Sequence, residues 1–87
     1  MIHYPALIVR DRQDRLTISF PDLPNCTAVA DVWGDVPRAA VEALSLWFEG
    51  KPDIEPTAID VLRERSDLRQ ELAMGAVLLL IPLRSVD

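Results

Sequence analysis

The sequence contains one cysteine, Cys26, and one histidine, His3. A lone cysteine excludes an intramolecular disulfide and fits a reducing compartment. With no second histidine and no CxxC pair, Cys26 reads as an inert thiol and His3 as a solvent-facing residue near the terminus. Basic charge is scarce as well: nine Lys and Arg stand against fourteen Asp and Glu, a formal charge of −5. Such a field repels nucleic acid unless basic groups are sharply clustered, and it steers a basic protein toward the chain. Long hydrophobic runs are missing too. The longest, Gly75 to Leu83, falls far short of the roughly 20 residues that span a bilayer. The N-terminal "MIHYPALIVRD" lacks the basic region, long apolar region and cleavage site of a signal peptide. No repeat or low-complexity segment interrupts the chain. The expectation is therefore a water-soluble, cytoplasmic protein with no membrane partner.

What is present is enough apolar sequence for one core. The chain has 87 residues, 49% of them hydrophobic, which suits a single domain over residues 1–87 built from two packed layers. Tyr4 to Arg10 is short and apolar, with Ile8 and Val9 β-branched, and reads as a strand. Pro5 lies near its start, where a missing donor does least harm. A polar "DRQD" turn follows. In "RLTISF", Leu16, Ile18 and Phe20 alternate with Arg15, Thr17 and Ser19, a strand with one wet face. Pro21 and Pro24 then stop that strand, while Asp22 can bond its own backbone and Asn25 tolerates a left-handed conformation. "CTAVA" is a third strand, joined to the others as an antiparallel meander.

Asp35 is placed as an N-cap and Pro37 in the first turn of a helix that runs to Gly50. At about 100° per residue, Val36, Ala40, Ala43, Leu44 and Trp47 form its central stripe. Val41 and Phe48 widen that stripe on one flank, and Ala39 and Leu46 on the other. "KPDIEP" is a linker. "TAIDVLRERSDLRQEL" is one helix or two, with Ser66 a candidate second N-cap and Ile59, Leu62, Leu68 and Leu72 its buried positions. After Gly75, "AVLLLIPL" is a fourth strand with no polar face. The order β-β-β-α-(α)-β gives an α+β fold, a four-stranded sheet with helices on one face.

"YPALIVRD", "ISFPDLPNC", Asp31, "EALSLW" and the late "LIPL", in this order and spacing, resemble the HicB-like antitoxin family. The resemblance spans nearly the whole chain, and "FPDLPNC" is its most specific part. It implies a partial RNase H-like fold of sheet order 3-2-1-4, with the fourth strand parallel to the first. It also implies binding and neutralisation of a HicA-like toxin, a small basic ribonuclease. Asn25 stands where relatives usually carry glycine, and Val32 where they usually carry threonine. The chain stops at Asp87, after the fourth strand, where many relatives continue into a DNA-binding domain; no direct DNA binding is expected from this chain alone.

Chemistry of the RNase H type needs several carboxylates converging on two metal ions. Asp11 and Asp14 lie at the first turn, Glu42 lies on the helix's polar back, and the fourth strand offers no carboxylate before Asp87. No catalytic, cofactor or metal residue is assigned. "RDRQDR" (Arg10 to Arg15) reads as a solvated hairpin turn. Partner contact is expected at Pro21, Asp22, Leu23 and Pro24 of the rigid turn, at Trp33 and at Phe48. If the order is 3-2-1-4, the fourth strand is an edge without the devices that blunt one. Homo-oligomerisation, as a dimer or higher, is expected there, through Val77, Leu79 and Ile81. The competing reading is an orphan structural or regulatory homo-oligomer with no toxin.

Overall fold

The computed structural model describes residues 2–51 and 54–83. Four strands form one antiparallel sheet: β1 (His3–Arg10), β2 (Leu16–Ser19), β3 (Thr27–Ala30) and β4 (Val77–Pro82), in spatial order β3-β2-β1-β4. A 3-10 turn at Trp33–Asp35 leads into α1 (Val36–Trp47), and two short helices follow, α2 (Ile59–Glu64) and α3 (Ser66–Ala73). The order of the sheet is the one expected. The direction of β4 is not.

β4 runs antiparallel to β1, in register from His3 opposite Pro82 to Ile8 opposite Val77. The reason lies where α3 ends. Gly75, at φ +105°, reverses the chain beside the Ile8 end of β1, so β4 can only run back toward His3. A parallel strand would have to enter from the opposite end. Leu83 N–H donates to Ile2 O at 2.9 Å and carries the ladder one bond further. Pro5 sits within β1 but outside the stretch Leu7–Arg10 that pairs with β2, so its missing donor breaks no bond on that side.

The expectation that all helices lie on one face is also corrected. Tyr4, Ala6 and Ile8 of β1, with Leu16, Ile18, Leu79 and Ile81, pack against Val36, Ala40, Leu44 and Phe48 at α1. Leu7 and Val9 point the other way and join Leu62, Leu68, Leu72 and Leu78 in a second, smaller cluster. α1 thus covers one face of the sheet, and α2 and α3 cover part of the opposite face. A strand apolar on both faces needs cover on both, and β1 is such a strand.

The helix boundaries follow local chemistry, with two departures. Asp35 precedes α1, but its carboxylate makes no capping bond and pairs with Arg38 at 3.2 Å, while the 3-10 turn satisfies Asp35 N–H through Val32 O. The second helical region breaks at Arg65, whose ψ of 132° is extended, and Arg65, one residue before the expected Ser66, occupies the N-cap position of α3. Leu62 and Leu68 are buried as expected, whereas Ile59 and Leu72 are only partly so. Of the "KPDIEP" linker, Pro52 and Asp53 lie outside the described residues.

Candidate functional site

The "FPDLPNC" segment is a turn tied down from several directions. Leu23 N–H donates to Phe20 O at 2.9 Å, Cys26 N–H to Leu23 O at 3.2 Å, and Phe20 N–H to Cys26 O at 3.3 Å. Asn25 takes φ +65°, the left-handed position that glycine fills without strain and that Asn tolerates. Leu23 is turned inward and fully buried. Trp47 Nε1–H donates to Pro24 O at 2.9 Å, which locks the end of α1 to the turn. Asp22 reaches away from its own backbone: its two oxygens accept from Thr57 N–H at 2.8 Å and Thr57 Oγ1–H at 2.6 Å. The Tyr4 hydroxyl donates to Ile54 O, a second anchor on the same linker. The turn is therefore the joint at which the linker between α1 and α2 is fastened to the sheet.

The residues expected to meet a partner separate accordingly. Leu23 is core. Phe48 is core as well, its ring 5.1 Å from Tyr4 and 5.0 Å, edge-on, from Trp47. Pro21 and Asp22 are half-covered, and Pro24 and Trp33 are exposed. Of the three residues expected at an oligomer contact, Ile81 is buried and Leu79 is packed against the core, while Val77 stays exposed. Leu80, on the opposite face of β4, is 54% exposed.

Two exposed apolar residues carry signals that sequence reasoning passed over. Val32 lies beside Trp33, and Leu46, expected to widen the apolar stripe of α1, is 71% exposed. Leu46 overhangs a cavity of about 360 Å³ between the start of β3 and the end of α1, lined also by Asn25, Cys26, Thr27, Ala43, Trp47 and Lys51. Its helical angle, about 160° round from Leu44 and about 120° from Ala40 at the centre of the buried stripe, was the available clue. Lys51 closes the cavity at one end, its ammonium 4.8 Å over the Trp47 ring and 2.7 Å from Trp47 O. Cys26 Sγ–H donates to Ala43 O at 3.6 Å, and burial raises its pKa, so the thiolate that would be nucleophilic is disfavoured.

The charged groups of the first hairpin serve its turn. Asp11 Oδ1 accepts from Gln13 N–H at 2.8 Å and Arg15 N–H at 2.9 Å, and Asp14 pairs with Arg10 at 2.9 Å. These bonds hold the β1–β2 hairpin as a solvated turn. Among the described residues no group of three His, Cys, Asp or Glu is placed to hold a metal ion, and no helix is long and apolar enough to cross a membrane.

The sequence profile of the HicB-like antitoxin of bacterial toxin–antitoxin systems matches residues 4–83. The chain belongs to the HicB-like antitoxin family. This is a non-enzymatic family. No curated protein matches the chain. Among solved structures, the HicB-like fold recurs in the N-terminal domain of Burkholderia pseudomallei antitoxin HicB, with a TM-score of 0.76 at 18% identity over 99% of each chain. It recurs in a chain of the HicA3 and HicB3 toxin–antitoxin complex, with a TM-score of 0.74 at 22% identity over 93% of this chain and 96% of that one. The whole of this chain corresponds to 64% of the longer Burkholderia pseudomallei antitoxin HicB, with a TM-score of 0.72 at 20% identity.

Proposed function

We propose that this HicB-like chain is the antitoxin of a type II toxin–antitoxin pair in the cytoplasm. It binds a HicA-like, mRNA-cleaving ribonuclease toxin and neutralises it by covering the toxin's surface, with no catalysis of its own. The observation that carries this reading is the family match over residues 4–83, nearly the full chain. The acidic balance supports it, because a chain of charge −5 attracts a basic partner at long range.

The test is co-expression with the product of the reading frame next to this chain's own, which the proposal expects to be short and basic. Expression of that neighbour alone should arrest growth, and co-expression should restore growth and yield a complex that co-purifies. If growth stays arrested and the two proteins elute apart, the reading fails, and the orphan oligomeric module takes its place.

Self-association belongs to the same proposal. β4 is an edge strand with no charged residue from Val77 to Pro82, and Val77 and Leu80 are exposed on its two faces. Such an edge accepts a further strand unless something blocks it. Two copies of β4 can pair antiparallel about a two-fold axis, the commonest symmetry of soluble oligomers. Light scattering on the eluting protein should give twice the monomer mass, and Leu80→Arg should return it to the monomer. A monomeric wild type at high concentration excludes a dimer.

A further inference from the structure

α1 lies along β3, the edge strand at the opposite side of the sheet from β4. Its first turn follows β3 directly through the Trp33–Asp35 turn, and its last turn is bonded to Pro24 and Cys26 just before β3 begins. One border of the molecule therefore runs from Trp33 at one end to Leu46 at the other. At each end the same combination occurs. Trp33, 44% exposed, is flanked by Asp31 and Asp35. Leu46 is flanked by Glu42, one helical turn earlier, and by Glu49, just past the helix.

The charge along this border is one-sided. Arg38 is engaged by Asp35, and Lys51 by the carbonyl and ring of Trp47. Asp31, Glu42 and Glu49 have no ion pair or side-chain hydrogen bond among the described residues. An exposed aromatic and an exposed leucine, each with two carboxylates close by in the chain, are the elements of a protein interface: apolar anchors that lose water on contact, beside polar groups that guide encounter. β4, by contrast, carries no charge and offers no electrostatic handle.

We infer that the β3–α1 border is the surface on which this chain docks a basic protein partner, with Trp33 and Leu46 as anchors and Asp31, Glu42 and Glu49 as the attracting rim. The inference rests on the antitoxin reading for the existence of that partner, and adds where it binds. Leu46 beside the 360 Å³ cavity also leaves room for one side chain of the partner to enter. β4 stays free for self-association, so the two contacts do not compete.

The experiment is calorimetry and stopped-flow binding with the toxin identified by the co-expression test above, in a catalytically inactive form. Trp33→Ala and Leu46→Ala, both at exposed positions, should each weaken binding, the former about tenfold or more, with unchanged circular dichroism. Glu42→Lys with Glu49→Lys should slow association about tenfold at low salt, and the difference should shrink as salt is added. Leu80→Arg, at the other edge, should leave toxin affinity unchanged. If wild type binds and the Trp33 and Leu46 variants bind equally well, the border is not the docking surface while the antitoxin reading stands. If Leu80→Arg is the variant that loses toxin, the contact lies on β4. If wild type does not bind at all, the partner itself is absent and both proposals fall.

Discussion

Leu62→Ala should cost about 2–5 kcal/mol, the usual range for truncating a buried leucine. Leu62 is 1% exposed and shares the smaller cluster with Leu7 of β1 and Leu68 of α3, its other buried members among the described residues. With so few residues holding α2 and α3 to the sheet, the loss should fall mainly on them. Urea denaturation should show the reduced stability. Hydrogen exchange should show amides of Ile59–Ala73 exchanging early while those of β1, β2 and α1 remain protected, a sub-global opening. Amides of α2 and α3 as well protected as in wild type would mean that something other than Leu62 fastens these helices. A domain of this size has a total stability of about 5–15 kcal/mol, so the variant stands close to the limit of folding.

Asp22→Ala should cost about 2–3 kcal/mol. The carboxylate accepts two bonds from one residue, Thr57 N–H and Thr57 Oγ1–H, thirty-five positions away in the chain. Both are charge-assisted, and truncation leaves the half-covered Thr57 N–H without an acceptor. Thr57→Ala removes only the hydroxyl bond and should cost about 1 kcal/mol. The difference between the two variants isolates the bond to the backbone. Chemical denaturation of both, with the double variant to complete the cycle, provides the measurement. Equal losses in Asp22→Ala and Thr57→Ala would show that the backbone bond contributes nothing.

These two positions mark the boundary between what local sequence displays and what it hides. The helix α1 was legible because Val36, Ala40 and Leu44 recur at helical spacing, and all three are buried at its centre. The strands were legible from alternation in "RLTISF" and from prolines at the turn. The second layer on the far side of the sheet had a signal that the one-face expectation overlooked. β1 is apolar at both parities, with Tyr4, Ala6 and Ile8 on one side and Pro5, Leu7 and Val9 on the other, and a chain with that pattern needs cover twice. The break at Arg65 lay within one residue of the expected cap, because Ser66 and Asp67 mark a helix start whichever residue takes the capping conformation.

The contact residues were less legible. Leu23 and Phe48 carry the composition of an anchor, and an apolar side chain in a rigid turn or on a helix flank can face either way. Burial decides, and burial is a property of the neighbours. Leu23 fills the space under its own turn, and Phe48 fills the space between Tyr4 and Trp47. Trp33 stayed outside, 44% exposed.

The amino-acid order alone determined the elements, the meander of three strands, the acidic field and the family, because these depend on periodicity, local turn chemistry, net charge and short motifs in series. Only the tertiary structure decided which way β4 runs, which face α2 and α3 cover, what Asp22 holds and which aromatic residues remain in water. Each of those outcomes is set by contacts between residues far apart in the chain, and no local pattern specifies which distant partner a side chain will meet.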